Sequence, residues 1–271
     1  MPGRPVAWLA PESLDEALAL RAERGAEATV LAGGTFLGIL MNERLLEPAA
    51  LLSLGTVGGL EGVAVVDGEL RLGAMTTHRA VERAPAVREG WPVLARAFSL
   101  VASPRVRNQA TVGGVLADAD YASDPPAVLE ALSARVVLRS VRGERELPVR
   151  ELILGHYETS VADDELLVEI RVPPCPARAV YRKFRSRSSE DRPCVAVAAV
   201  NGDRALRVVV GAVSDRSREL PEACALGVEA AAEIGRRYAE EIEPISDSRG
   251  SAAYRRRVIA VEVRRAVEAL A

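Results

Sequence analysis

The chain has 271 residues, 49% of them hydrophobic and 27% charged, with a formal net charge of −3. Such a length buries more than one core, and two domains are expected. The mild acidity gives no field suited to nucleic acid, and no apolar run reaches the ~20 residues that span a bilayer.

With only two histidines, His78 and His156, a histidine-rich metal site is excluded and a Ser-His-Asp triad is not expected. The three cysteines, Cys175, Cys194 and Cys224, stand far apart, match no zinc or iron–sulfur spacing and read as inert thiols. Met1-Pro2-Gly3-Arg4-Pro5 lacks the charged-then-apolar layout of a secretory leader, so a cytoplasmic location is expected. Nearly all the basic residues are arginine, and Lys183 is the single lysine.

Ser13-Leu14-Asp15-Glu16 reads as a capping box, the Ser13 hydroxyl accepting from the Glu16 amide while the Glu16 carboxylate reaches back. Leu14, Ala17 and Leu18 make that helix's apolar stripe, and Gly25 its left-handed stop. Residues 28–32 then read as a buried strand and 37–46 as a helix. Pro48, Gly55, Gly58 and Gly59 mark the end of a first lobe near residue 56. Val63 to Val66 and Leu70 to Leu72 form a hairpin across Asp67-Gly68. A helix is expected from about Ala80 to about Ala102, interrupted near Pro85 and Pro92.

Asp124-Pro125-Pro126 starts another helix, with Asp124 as its N-cap. Arg135 to Arg139 and Glu146 to Val149 pair across Arg142-Gly143, and Leu166 to Val172 is a strand ended by Pro173-Pro174. That proline pair sets the expected boundary between residues 1–174, whose second lobe is about 57–174, and residues 175–271. Ala179 to Phe184, Val195 to Val200 and Leu206 to Val213 read as strands, followed by helices from about Glu222 to Glu241 and Ser251 to Leu270. In the last helix Ile259, Val263, Ala266, Val267 and Leu270 share one face and arginines fill the other, which reads equally as a docking face or a solvated surface.

Gly33-Gly34 and Gly113-Gly114 each sit between a short apolar lead-in and a return to apolar sequence. Backbone N–H groups uncovered there can converge as a nest for an anionic oxygen, and two nests suit a pyrophosphate. Neither segment is G-x-G-x-x-G, and no Gly-Lys-Ser/Thr is present, so Rossmann and Walker A loops do not apply. Tight turns are the competing reading of each pair.

Ala-Gly-Gly-Thr-x-Leu at 32–37 and Ala-Ser-Pro-x-x-Arg-Asn-x-Ala-Thr-x-Gly-Gly at 102–114 resemble the FAD-binding subunit of molybdenum hydroxylases. That family includes the medium chain of carbon monoxide dehydrogenase and the flavin domain of xanthine dehydrogenase. The resemblance continues through residues 122–127, 157–159 and 164–173, then Tyr181-Arg182-Lys183-Phe184-Arg185 and Ser246-Asp247-Ser248-Arg249-Gly250-Ser251. It implies an α+β protein with a two-lobed FAD-binding domain of the vanillyl-alcohol oxidase type. A small C-terminal α/β domain with an antiparallel sheet and helices would follow. By the same resemblance the cofactor FAD would be held by Ala32, Gly33, Gly34, Thr35 and Phe36 in one loop and by Thr111, Val112, Gly113, Gly114 and Val115 in the other. Both loops would act through main-chain N–H groups, with hydroxyl donors from Thr35 and Thr111. Asp124, Leu167 and Lys183 match family residues near the cofactor, and the lysine would place a positive charge beside the flavin ring.

The partners implied are a large molybdopterin-binding subunit and a small [2Fe–2S] subunit, with NAD, a quinone or another acceptor receiving the electrons. Competing readings are a stand-alone FAD oxidoreductase and a degenerate, non-catalytic assembly protein. Departures from the family pattern are Phe36 and Val115 where polar residues are usual, Asp118 and Tyr121 for a His and a Pro, and Arg192-Pro193 where an aromatic covers the flavin. With its donors lost, the loop is expected to hold phosphate through its backbone while the Phe36 ring turns away.

Overall fold

Strands β1 (Ala7–Leu9), β2 (Ala28–Leu31) and β3 (Ala50–Ser53) pair in parallel in the order β1-β3-β2. The computed structural model describes residues 6–176, 178–202 and 205–271; Met1–Pro5, read above for a leader, lie outside them. Parallel strands need a crossover, and the helix Leu14–Arg24 provides it between β1 and β2. Ser13 Oγ accepts from the Glu16 amide (3.2 Å), and the Glu16 carboxylate receives the Glu12 amide (2.8 Å), so the expected box closes one residue earlier on its return arm. Gly25 ends the helix at φ +53, in the half of backbone space that favours glycine. After β2 the expected ten-residue helix is only Leu37–Asn42.

The second sheet contains β4 (Val63–Val66), β5 (Glu69–Gly73), β6 (Arg135–Ser140) and β7 (Gly143–Pro148). A short ribbon of β8 (Ile153–Gly155) and β9 (Glu158–Thr159) precedes β10 (Leu166–Val172), and the sheet runs β4-β5-β10-β6-β7, all antiparallel. Asp67 and Gly68 both adopt positive φ, as the two-residue hairpin turn requires. In β10 the register against β6 shifts between Leu167 and Glu169. This bulge breaks the alternation, so Leu167 shares a core with Ile170 and Val172 while Leu166 and Val168 pack into the core of the first lobe. The helix expected over 80–102 is three helices, His78–Arg83, Pro85–Gly90 and Pro92–Ser99. Each proline stands at a first helical position, where its missing N–H costs nothing.

Beyond residue 177, β11 (Arg178–Phe184), β12 (Val195–Asn201), β13 (Leu206–Gly211) and β14 (Arg218–Glu219) form an antiparallel sheet in that order. Six of the seven residues of β12 are buried because both faces are covered. Ala196, Ala198 and Val200 join the core of the second lobe, whereas Val195, Val197 and Ala199 pack with the last two helices. The helix expected over 222–241 is divided by Gly227 (φ +79) into Pro221–Cys224 and Ala231–Glu241. The last helix, Ala252–Glu268, buries Ile259, Val263, Ala266 and Val267 as expected. Arg255 departs from that pattern: it is fully buried, with Nη2 2.8 Å from Asp247 Oδ1 and Nη1 donating to the Ile245 carbonyl. No helix among the described residues is long and apolar enough to cross a membrane.

Candidate functional site

The two glycine loops meet because glycine lets backbones touch. A Cβ on Gly33 would overlap the Gln109 carbonyl, its carbon only 2.7 Å away, so the first loop rests on the turn between the short helix Pro104–Arg107 and the second loop. A Cβ on Gly113 would lie 2.7 Å from Ala74 Cβ and 2.9 Å from Ala74 O, where β5 ends. The second loop is fixed in turn by His78 N–H donating to Ala110 O (2.8 Å) and Val112 N–H to Thr76 O (3.0 Å).

The loops are not equivalent. Among the described residues, the amides of Gly33, Gly34, Thr35 and Phe36 donate to no protein acceptor. With Gly34 at φ +68, they make the open donor set expected of a nest. In the second loop, Gly113 N–H donates to Ala74 O, Gly114 N–H to Thr111 Oγ1 and Val115 N–H to Thr111 O. Thr111 therefore caps the helix Val112–Asp118, and the pair Gly113-Gly114 serves close packing while the free donors lie in the first loop. This departs from the expectation of donors from both loops, because the Thr111 cap takes the amides of Gly114 and Val115 while Thr76 O and Ala74 O take those of Val112 and Gly113.

Both loops line one cavity of about 820 Å³ between the first lobe, the second lobe and residues 183–192. That volume falls within the range of small-molecule and cofactor sites. Ala32 to Phe36, Thr111, Gly113, Gly114, Val115, Asp124, Leu167 and Lys183 all border it. Val112 does not: its side chain is buried in the core of the second lobe, one residue out of phase with the cavity wall. Sequence reasoning did not assign the wall residues Arg21, His78, Asp163 and Glu165, which come from segments with no glycine pair, nor Asp118, at the far end of the helix that carries Gly113-Gly114.

Lys183 is buried, with its ammonium 2.8 Å from Asp124 Oδ2 and donating to Leu100 O at 2.8 Å. Asp124 Oδ1 accepts from the Tyr181 hydroxyl at 2.5 Å. Burial pushes the Asp124 carboxyl up and the Lys183 ammonium down, and in each case the partner's charge opposes the shift. The N-cap expectation for Asp124 changes here. Asp124 gives no side-chain hydrogen bond to its helix, because its oxygens are held by β11. Lys183 borders the cavity as one half of an ion pair.

At the mouth, the Phe36 ring stacks on Tyr157 (centroids 5.5 Å apart, 21° between planes), and Tyr157 stacks on His156 at 3.9 Å. Arg192 lies over Phe36 at 5.4 Å and pairs with the buried Asp120. Phe36 thus has an apolar and cationic neighbourhood of its own, which accounts for an apolar residue beside a loop of free amides. His78 is fully inside, its Nε2 3.1 Å from Thr111 O, and burial lowers its pKa to about 4.

Free amides beside a large cavity suit a phosphate-bearing ligand, and similarity to known proteins narrows the choice. Residues 4–175 match the family described as FAD binding domain in molybdopterin dehydrogenase. The nicotine 6-hydroxylase medium subunit of Paenarthrobacter nicotinovorans is 33% identical over 275 residues, covering 97% of this chain and 96% of that protein. The carbon monoxide dehydrogenase medium chain of Hydrogenophaga pseudoflava is 32% identical, covering 96% of this chain and 95% of that one. A solved structure of carbon monoxide dehydrogenase from H. pseudoflava, lacking the Mo-pyranopterin moiety of the molybdenum cofactor, has a TM-score of 0.93 at 31% identity, covering 100% of this chain and 98% of its own. Likeness of that extent decides what the cavity's chemistry alone leaves open, and the chain belongs to the FAD-binding domain family of the molybdopterin dehydrogenases.

Proposed function

We propose that this chain is the electron-transferring flavoprotein subunit of a molybdenum hydroxylase complex. In this reading FAD occupies the cavity and takes electrons from the [2Fe–2S] clusters of a small partner subunit. NAD+, a quinone or another acceptor receives them, and a large molybdopterin-binding partner oxidises the organic substrate. The observation that carries the reading is the set of amides from Gly33 to Phe36 that find no acceptor among the described residues and border a cavity large enough for a cofactor.

In that assignment the first loop holds the pyrophosphate through its backbone, with the Thr35 hydroxyl as a further donor. Gly113 and Gly114 let the second loop approach, and the Thr111 hydroxyl, already accepting from Gly114, keeps its own proton to donate. Leu167 supplies an apolar wall, and the Asp124–Lys183 pair fixes the floor beneath it. Bound FAD would supply the exchange between one-electron and two-electron chemistry. The reading divides the chain at Pro173-Pro174 into an FAD-binding domain (1–174) and a C-terminal domain (175–271). It places the protein in the cytoplasm, in keeping with three free cysteines.

Titration of the purified chain with FAD tests it. Flavin fluorescence should be quenched at one equivalent, and Gly34→Val, which forces a branched side chain onto φ +68, should abolish the quenching. No quenching with the wild-type chain would overturn the assignment. Co-expression with the two partner subunits should yield a three-chain complex.

A further inference from the structure

Asp118 is the last residue of the helix Val112–Asp118, followed by Ala119 in the left-handed conformation (φ 49). Its side chain is half-buried and lines the cavity. Among the described residues no hydrogen bond or ion pair reaches its carboxyl, whereas Asp120, two positions on, is held by Arg192 and by the Ala122 amide. The groups facing this corner are Asp120 and Arg192, Tyr157 with its hydroxyl 3.5 Å from Asp120 Oδ2, His156 stacked on Tyr157, and Glu190 and Asp191 from the cavity wall. Deeper in, Lys183 is already matched by Asp124.

We propose that Asp118 is the proton-exchanging residue of the cavity: its carboxyl holds a proton at the cavity wall and trades it with water. The proposal rests on the assignment of FAD to the cavity. Three influences keep the proton on: burial, the negative Asp120 nearby, and the carbonyl end of its own helix. Burial and Asp120 raise the Asp118 pKa to about 7 against the pull of Arg192, so the proton can leave and return at neutral pH. Gain of two electrons by a flavin is matched by proton uptake. With FAD bound, Asp118 would release its proton toward the reduced ring, and water would return a proton to its carboxylate. The electrons come from one-electron donors of the iron–sulfur class, or from dithionite in vitro.

Two measurements on the full chain test this. A ligand filling the cavity would exclude water from Asp118 and raise its pKa further, so FAD binding should take up protons, read by calorimetry in buffers of different ionisation enthalpy. Affinity should then fall about tenfold from pH 6.5 to pH 8.5 in the wild type and stay flat in Asp118→Asn. The flavin midpoint potential against pH should bend near neutrality in the wild type and lose the bend in Asp118→Asn. Asp118→Glu should restore proton uptake, and His156→Gln should leave both readouts unchanged. Equal proton uptake and equal potential curves in wild type and Asp118→Asn would overturn the role of Asp118 while leaving FAD in the cavity. Failure of the wild type to bind FAD would overturn both. Should Asp118→Asn not fold, Asp118→Ser is read by the same criteria.

Discussion

Lys183 and Asp124 form an ion pair 2.8 Å long whose side chains are only 1% and 4% exposed. Such a pair contributes little net stability, yet breaking it leaves a buried charge unmatched. Lys183→Met should therefore destabilise the chain by about 3–5 kcal/mol in urea unfolding. Asp124→Asn together with Lys183→Met should cost less than the two single changes added, because neither charge is then stranded. Strict additivity in that cycle would mean that the two residues do not act as a pair.

Gly33 and Gly38 separate close packing from flexibility within one short stretch. A Cβ on Gly33 meets the Gln109 backbone, whereas one on Gly38 meets nothing within 4 Å. Gly33→Ala should push the two loops apart, lowering both thermal stability and FAD affinity. Gly38→Ala, in the helix Leu37–Asn42, should stabilise by about 0.5–1 kcal/mol through lost chain entropy alone. Calorimetry and flavin titration of the two variants give the contrast directly.

His78 sets a pH dependence with a definite sign. Its pKa is lowered by burial to about 4, against an ordinary value near 6.5, so between these values the unfolded chain binds a proton that the folded chain refuses. Stability should thus fall as pH drops from about 6.5 to 4, by about 3 kcal/mol in all from this residue. Asp118 and Glu130, each raised to about 7 chiefly by burial, act in the opposite sense, since their folded forms hold protons that the unfolded chain releases. The measurable quantity is therefore the difference between wild type and His78→Gln, whose unfolding curves should converge as pH falls.

The first glycine loop was legible because its signal is local, an apolar strand, two glycines and a helix within a few residues, whereas Gly113-Gly114 lie within the first turn of a helix that Thr111 caps. What the sequence did not disclose lies in partners remote along the chain. Asp124 stands where an N-cap belongs, but its carboxylate is taken by Tyr181 and Lys183 on a strand that no local rule brings alongside. Phe36 read as a lost donor, and only the folded chain shows Tyr157 and Arg192 beside it. The strands β1 and β3, three and four residues long, are too short for their alternation to stand out. The arginine face of the last helix concealed Arg255, whose burial depends on Asp247 in the preceding loop.

That arginine belongs to a junction between the second lobe and the C-terminal part of the chain. Tyr121 donates to Asp247 Oδ2 at 2.6 Å, and Arg249 Nη1 donates to the Tyr121 hydroxyl at 3.1 Å. Burial works against the charged form of Asp247, but hydrogen bonds from Tyr121, Arg255 and Arg249 outweigh it and hold the carboxyl well below the usual carboxylate range. The stability this gives is complete above the unfolded value of about 4 and is lost as pH falls below it. Tyr121→Phe removes one hydrogen bond and should cost about 1 kcal/mol. Asp247→Ala strands a fully buried guanidinium and should cost about 3–5 kcal/mol. Adding Arg255→Met to Asp247→Ala should recover part of that loss, because the burden is the unpaired Arg255 charge more than the missing carboxylate. Urea unfolding of the three variants at pH 7 gives the ranking, and equal losses for Tyr121→Phe and Asp247→Ala would mean that Asp247 serves Tyr121 alone.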